Sequence, residues 1–264
     1  MKPAPFRYAA PDSVQGALDL MASEDARALA GGQSLVPLLN FRLARPGLLV
    51  DLNPLSELVG IEVRDGTLCL GAMTRQDDLL RSAAAARWPL LHEATRHVGH
   101  PAIRSRGTVG GSVAHADPAA ELPVALTALD ARFRVRARDS ERVLTAEQLF
   151  RGALTTALQT GELLVEIEVP PVPAGARMGF AEHARTHGDF ALAGVAVVHA
   201  PGERAAVALL GAGPVPVRVP AAERALLGGS PPGEVAELAA AGVEHDHRRA
   251  VIRALAERVL ECIR

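Results

Sequence analysis

The 264-residue chain has the composition of a globular protein with an ample core, since 48% of its residues are apolar and 22% are charged. Its formal net charge of −2 gives no reason to expect nucleic acid or an anionic membrane as a partner. Cys69 and Cys262 are isolated, which excludes a disulfide framework and a Cys-x-x-Cys metal or redox motif. We find no apolar run of membrane-spanning length and no targeting peptide at the N-terminus, so we expect a cytoplasmic protein.

The first fifty residues are predicted to alternate between strand and helix. The apolar period from Val14 to Met21 predicts a helix that Ser13 precedes as a capping candidate, and residues 34–43 predict a second helix. Strand-like runs lie at residues 6–8, 27–30 and 48–52. The third run is apolar throughout, which is typical of a strand buried on both faces.

The middle of the chain mixes helices with an antiparallel pattern. Residues 61–64 and 67–70 flank Asp65-Gly66, the strongest hairpin signal in the sequence. Further helices are predicted around residues 76–84, 89–98 and 122–129, and further strands at 132–138 and 163–169. Four arginines alternate along the strand at 132–138, and we interpret them as a solvated sheet face because the chain is acidic overall.

The last third of the chain changes character. Strand-like runs at 193–199 and 205–210 precede Ala/Leu-rich helices, the last of them from about 248 to 262. This order predicts a small α+β domain with its helices on one face of a sheet.

Two loops contain paired glycines. The first glycine loop is Ala30-Gly31-Gly32-Gln33-Ser34-Leu35, and the second is Arg106-Gly107-Thr108-Val109-Gly110-Gly111-Ser112. Glycine is required where the backbone takes positive φ or approaches a ligand closely, and successive free amides form a concavity that suits phosphate oxygens. We expect each loop to join a strand to a helix. Together the two loops predict a long ligand whose diphosphate is held from both sides.

Other motifs in the sequence indicate no separate chemistry. The first glycine loop lacks the Gly-Lys-Ser/Thr ending of a nucleoside-triphosphate loop. His245-Asp246-His247 has no third ligand nearby, and we interpret Asp246 as a helix cap. Because no nucleophile stands beside a base, we predict no catalytic side chain, and a cofactor has to supply any chemistry.

With these motifs, the chain resembles the FAD-binding medium subunits of the molybdenum hydroxylases, the family of carbon monoxide dehydrogenase and the xanthine dehydrogenases. The first glycine loop, with residues 42–46, resembles the first flavin loop of that family, and residues 106–118 resemble the second. Residues 161–164, 188–191 and 211–218 are similar to the family in order and spacing. The resemblance extends over essentially the whole chain.

The resemblance implies a mixed α/β (α+β) fold of three parts. Two subdomains of the PCMH/vanillyl-alcohol-oxidase type clasp FAD, and a small α+β domain of the carbon monoxide dehydrogenase flavoprotein type follows. The expected divisions are residues 1–57, 58–171 and 172–264.

The function that the resemblance implies is that of an FAD-dependent oxidoreductase subunit. In such proteins, electrons from a large molybdenum-cofactor subunit pass through a small 2Fe-2S subunit to FAD and leave to an external acceptor. The implied assembly is a dimer of heterotrimers, that is, a heterohexamer. The substrate of the complex stays open at this stage, as does the choice of NAD, quinone or oxygen as acceptor.

The residues expected to contact FAD lie in both glycine loops and beyond them. They are Ala30, Gly31, Gly32, Gln33, Ser34, Leu35, Arg106, Thr108, Val109, Gly110, Gly111, Ser112, His115, Asp117, Glu121, Leu164 and Glu182. The amides of the four paired glycines are expected to neutralise the diphosphate, helped by side-chain donors in the same loops. Asp117 and Glu121 are acceptors suited to ribityl or adenosine hydroxyls. By resemblance, Leu164 lies near the adenine and Glu182 near the flavin ring, and no metal ligand is expected.

Two alternatives stay open from the sequence. A stand-alone FAD-dependent oxidoreductase of the same fold would need its own acid or base, for which His183, His187 and Asp189 are the few candidates. A cofactor-free scaffold subunit would have bulky residues in the glycine loops, and here both loops are intact.

Overall fold

A computed structural model describes residues 2–263, which form three β-sheets, a two-stranded ladder and the helices packed on them. The strands are β1 (Arg7–Ala9), β2 (Ala26–Leu29), β3 (Leu48–Asp51), β4 (Ile61–Arg64), β5 (Thr67–Gly71), β6 (Arg132–Arg136), β7 (Glu141–Thr145), β8 (Phe150–Gly152), β9 (Thr155–Thr156), β10 (Leu163–Val169), β11 (Arg177–His183), β12 (Ala193–Ala200), β13 (Arg204–Leu210) and β14 (Val217–Arg218). The α-helices are α1 (Val14–Met21), α2 (Leu35–Asn40), α3 (Gln76–Arg81), α4 (Pro89–His97), α5 (Pro101–Arg104), α6 (Val109–His115), α7 (Glu121–Ala128), α8 (Ala146–Leu149), α9 (Pro220–Leu227), α10 (Pro232–Ala240) and α11 (Asp246–Cys262).

The first sheet is parallel, with the order β1-β3-β2. Its central strand β3 is buried over Leu48–Val50, as its apolar sequence predicted. Ser13 caps α1 by accepting a hydrogen bond from the Gly16 amide at 3.2 Å, and α1 buries Val14, Ala17 and Leu18. The alternation of strand and helix is confirmed, and it places the first glycine loop at the carboxyl end of β2.

The second sheet is antiparallel, with the order β4-β5-β10-β6-β7. The predicted hairpin is confirmed, because Asp65 and Gly66 both have positive φ (50° and 81°), as a two-residue turn of this kind requires. Arg134 of β6 forms ion pairs with Glu141, Glu166 and Glu168, which confirms the solvated, charged sheet face. Strand β7 escaped prediction because its ERVLT sequence is polar and mostly unburied.

The chain around the second glycine loop differs from the prediction. The short helix α5, not a strand, precedes the loop, and Gly110 and Gly111 lie inside helix α6. Thr108 begins α6 by accepting a hydrogen bond from the Gly111 amide at 3.0 Å. The α6 helix ends where Ala116 adopts left-handed backbone geometry, with φ of 51°.

The third sheet, with the order β11-β12-β13-β14, is antiparallel and buried on both faces. Helices α9, α10 and α11 pack on one face around Val195, Val197 and Ile252, as predicted. The other face packs on α4 and α7, so it shares a core with Trp88 and Phe133 of the middle region. This second packing face could not be seen in the sequence. No helix within residues 2–263 is both long and apolar enough to cross a membrane.

Arg218 connects the third sheet to the middle of the chain. Its guanidinium donates to Asp130 at 2.6 Å and to the Thr127 carbonyl at 3.2 Å, and it pairs with Glu223. Glu223 in turn accepts from the Val207 amide at 3.1 Å. The arginine therefore holds β14 and α9 against the end of α7.

We expect Arg218→Gln to lower the free energy of unfolding by about 2 kcal/mol, because it leaves partly buried acceptors without a donor. Urea denaturation at neutral pH measures this change. The control is Arg253→Gln, whose pair with Glu237 is exposed and should contribute nothing measurable. If the two substitutions lowered the free energy of unfolding equally, Arg218 would not have this connecting role.

Candidate functional site

The first glycine loop presents free backbone donors. Gly32 has a positive φ of 76°, and its carbonyl accepts from the Val36 amide at 2.9 Å, which turns the chain into α2. Within residues 2–263, the amides of residues 31–34 have no hydrogen-bond partner. The side chains of Gln33 and Ser34 are exposed. This loop has the unsatisfied donors that an anionic ligand requires.

A cavity of about 400 Å³ lies beside the first glycine loop. Residues 29–33, Val36 and Pro37 form one wall. Asp51, Asn53 and Arg106 also line it, so the second glycine loop contributes a cation to the same space. The structure thus brings Ala30, Gly31, Gly32, Gln33 and Arg106 together, as the sequence predicted.

The glycines of the second loop serve a different purpose from the one expected. The Gly110 amide donates to the Ala72 carbonyl at 2.9 Å, and the Gly111 amide donates to the Thr108 hydroxyl. A Cβ on Gly110 would lie 2.6 Å from the Cβ of Ala72. These two amides are therefore already engaged, which contradicts the expectation that the amides of all four paired glycines are free to bind a diphosphate.

The two glycine loops are in direct contact. A Cβ on Gly31 would lie 2.3 Å from the Arg106 carbonyl oxygen and 2.8 Å from the Gly107 Cα. Only glycine permits this approach, because real side chains do not tolerate such distances. Gly31 is buried, so its main structural task is to let the loops meet.

Carboxyl groups gather beyond the end of α6. Asp117 accepts from the Ala119 amide at 2.8 Å and orders the turn into α7. Glu121, the first residue of α7, is only 7% exposed. Burial, together with the nearby Glu182 and Asp117 carboxylates, raises the pKa of Glu121 from 4.5 to about 8. At neutral pH Glu121 is therefore mostly protonated, and its carboxyl can donate to a ligand hydroxyl as well as accept from one.

Glu182, at the end of β11, holds a second buried carboxyl. Its side chain is 5% exposed, and its Oε1 lies 3.2 Å from Nδ1 of His97. Within the described part of the chain, its Oε2 is buried without a hydrogen-bond partner. An unpaired buried acceptor is costly, so this oxygen is suited to a donor from a bound molecule.

The remaining residues that were predicted to contact FAD are either half-buried or part of the core. Ser112 and Leu35 are half-buried, and so is His115, whose burial lowers its pKa. The side chains of Thr108, Val109 and Leu164 are buried at 2%, 0% and 5% exposure. Thr108 acts as a helix cap, and Val109 and Leu164 belong to the core of the middle region.

Sequence reasoning missed Asp51 and Asn53, which line the cavity, and Arg75, whose guanidinium donates to Asn53 and to the Arg106 carbonyl. Asp51 ends a buried parallel strand and Asn53 follows it, and polar residues at that position were the available signal. Arg75 gave no signal, since nothing in its sequence surroundings distinguishes it from a surface arginine.

Two further predictions concerned metal ligands and the start of the last helix. Residues 2–263 contain no group of three or more His, Cys, Asp or Glu side chains arranged to hold a metal ion. Helix α11 begins at Asp246, with His245 at the cap position and no side-chain capping bond, so the cap assignment of Asp246 was wrong.

Comparison with known proteins decides the family. Residues 4–172 match the family described as the FAD binding domain in molybdopterin dehydrogenase. The chain belongs to the FAD-binding medium subunits of the molybdenum hydroxylases. It is 41% identical to the alpha subunit of the 6-hydroxypseudooxynicotine dehydrogenase complex of Paenarthrobacter nicotinovorans, over 98% of this chain and 95% of that protein.

Two further relatives agree with this medium-subunit assignment. The caffeine dehydrogenase beta subunit of Pseudomonas sp. strain CBB1 is 43% identical over 86% of this chain and 80% of its own. A solved structure of carbon monoxide dehydrogenase from Hydrogenophaga pseudoflava superposes with a TM-score of 0.94 at 36% identity, covering 100% of this chain and 98% of that one. The medium subunit described here is therefore an FAD-dependent oxidoreductase subunit with the predicted mixed α/β fold.

The residues present fit FAD. Free amides and the Arg106 cation beside one cavity suit an anionic diphosphate, and the unpaired Oε2 of Glu182 and the protonated Glu121 suit polar groups of the nucleotide.

Gly31→Ala should weaken FAD binding at least tenfold, because the added Cβ forces the two loops apart. FAD titration of the purified apoprotein, followed by flavin fluorescence, measures the affinity. Gly242→Ala is the matched control, since a Cβ there meets no atom within 4 Å. An unchanged affinity for Gly31→Ala would show that loop contact is irrelevant to the cofactor.

Glu121→Gln should remove the loss of folding stability that ionisation of the buried Glu121 carboxyl causes as the pH rises. The folded-state pKa of Glu121 exceeds the unfolded one, so its contribution to stability is present below pH 4.5 and is lost as pH rises through about 8. At pH 8 the variant should be more stable than the unchanged subunit by roughly 4 kcal/mol, and near pH 4.5 the two should converge. Urea unfolding between pH 4.5 and 8.5 measures the difference. Glu203→Gln, at an exposed position, should show no such trend.

Proposed function

We propose that this subunit transfers electrons from a small 2Fe-2S subunit, through FAD, to an external acceptor. In this assembly, a large molybdenum-cofactor subunit oxidises the substrate, and the complex is a cytoplasmic dimer of heterotrimers. Bound FAD would supply the ability to accept electrons and pass them on. Names of related proteins such as "medium chain" and "complex subunit alpha" support a multi-subunit assembly.

The observation that carries this proposal is the paired glycine loops. The first loop lines the cavity and has free amides, and Arg106 of the second loop lines the same cavity. We propose that the predicted FAD residues act in two groups. Residues 30–35 and Arg106 hold the diphosphate, while Asp117, Glu121 and Glu182 bind polar groups of the rest of the nucleotide. We also propose the three-part division at residues 57 and 171.

Apolar side chains beside the first glycine loop support a partner on this side of the molecule. Val36 in helix α2, and Phe41 and Leu43 just after that helix, are 43%, 62% and 76% exposed. Several exposed apolar groups within eight residues of one another are typical of an interaction surface. An electron donor docked there would reach the FAD loop directly.

The first test is made on the purified full chain. Its visible absorption spectrum is recorded, the protein is then denatured, and the released nucleotide is identified by chromatography. Released FAD supports the proposal, whereas released FMN contradicts a site built for a dinucleotide. A colourless chain that also refuses FAD when co-expressed with its partner subunits contradicts it as well.

Electron transfer is tested by mixing the FAD-loaded chain with the chemically reduced 2Fe-2S subunit under anaerobic conditions. We expect the flavin absorbance to bleach on mixing. Phe41→Ser/Leu43→Ser should slow the bleaching without loss of FAD if those residues meet the partner. Flavin reduction by an organic substrate in the absence of any partner would instead favour a stand-alone oxidoreductase.

A further inference from the structure

We propose that Asn53 and Arg75 are positioning residues for the cofactor, which join the two glycine loops and fix their separation. This inference rests on the proposed FAD site. It assigns a role to two side chains that lie in neither loop.

Arg75 reaches the second glycine loop and Asn53 at the same time. One terminal nitrogen of its guanidinium donates to the Arg106 carbonyl at 2.5 Å, and the other donates to Oδ1 of Asn53 at 2.6 Å. The planar guanidinium fixes the angle between these two bonds, which a lysine cannot reproduce. The backbone of Arg75 also forms a β-bridge with Thr108.

Asn53 reaches the first glycine loop. Its Nδ2 donates to the Ala30 carbonyl at 3.0 Å, directly before Gly31. Asp51 holds Asn53 in this orientation, because its Oδ1 accepts from the backbone amide of Asn53 at 2.9 Å and from Nδ2 of Asn53 at 2.5 Å. Asp51 is itself held by the Tyr8 hydroxyl at 2.5 Å. The connection therefore runs from Ala30 through Asn53 and Arg75 to Arg106.

The carbonyl that Arg75 contacts is the same one that faces Gly31. A Cβ on Gly31 would lie 2.3 Å from this Arg106 oxygen, so the loops meet where Arg75 binds. Any loss of the Arg75 contact should let the loops separate at the point where Arg106 and residues 30–33 line the cavity. Separation would misplace the free amides relative to Arg106.

The electrostatics of Arg75 favour a role in binding over one in stability. Its partial burial and the neighbouring Arg106 cation lower its pKa, so its charge is disfavoured in the fold by itself. An anionic group beside the two arginines would offset this cost. Two cations at the junction of the loops suit the diphosphate that the amides are expected to bind.

The test measures FAD affinity of the apo full chain for Asn53→Ala, Arg75→Gln and the double variant. Each single substitution should weaken FAD binding about tenfold, because one link in the connection is lost. The double variant should be no more than about threefold weaker than either single one, since the two residues act through one connection. Arg81→Gln is the control, because Arg81 ends helix α3, which Arg75 directly precedes, and it pairs with Asp77 at the surface.

A second readout separates positioning from general stability. The melting temperature is measured for each apoprotein and again with saturating FAD. A merely structural role would lower both temperatures equally and leave the affinity unchanged, which would overturn the inference. Arg75→Lys keeps the positive charge but loses the two-pronged guanidinium, so it should bind FAD as weakly as Arg75→Gln does. If Arg75→Lys bound FAD as tightly as the unchanged chain, the inference would also be overturned. Failure of the unchanged chain to bind FAD would overturn the proposed function first, and this inference with it.

Discussion

The contact between the backbone at Gly31 and the backbone at Arg106–Gly107 determines the geometry of the whole site. Two loops that are 75 residues apart approach closely enough to exclude any Cβ. The second loop is itself held in place by backbone bonds to residues 74–76, from the Gln76 amide to the Gly107 carbonyl at 3.0 Å and from the Val109 amide to the Thr74 carbonyl at 2.9 Å. Because the amides of Gly110 and Gly111 are used in packing, the paired glycines whose amides stay free for a ligand are those of the first loop.

Charge is distributed unevenly around this contact. Arg106 and the free amides lie at the cavity together with one carboxylate, Asp51, whereas Asp117, Glu121 and Glu182 gather beyond α6. An arrangement with most donors at one place and most acceptors at another suits a dinucleotide, which has an anionic diphosphate and several hydroxyl and ring donors. Helix α6 lies between Arg106 and Asp117 in the sequence, and its length is set by the Thr108 cap and by Ala116 at its end.

Prediction succeeded where the signal was local. The Asp65-Gly66 hairpin, the Ser13-capped helix and the buried strand at Leu48–Val50 all follow from turn chemistry or periodicity. It failed where tertiary contacts overrode weak patterns. Gly110 and Gly111 were predicted to lie in a loop, yet they lie in helix α6. Glycine is required at position 110 because the helix packs closely against Ala72 there. Strand β11 was missed because its RMGFAEH sequence becomes a strand by pairing with β12.

The sequence alone determined the family, the cofactor class and most of the residues that lie near the paired glycine loops, because those depend on short motifs with strict backbone requirements. Only the tertiary structure decided which amides are free, that Glu121 is protonated near neutral pH, and that Asn53 and Arg75 connect the loops. These properties depend on burial and on partners distant in sequence. Such contacts are set by how the three sheets pack, and no local pattern of residues encodes them.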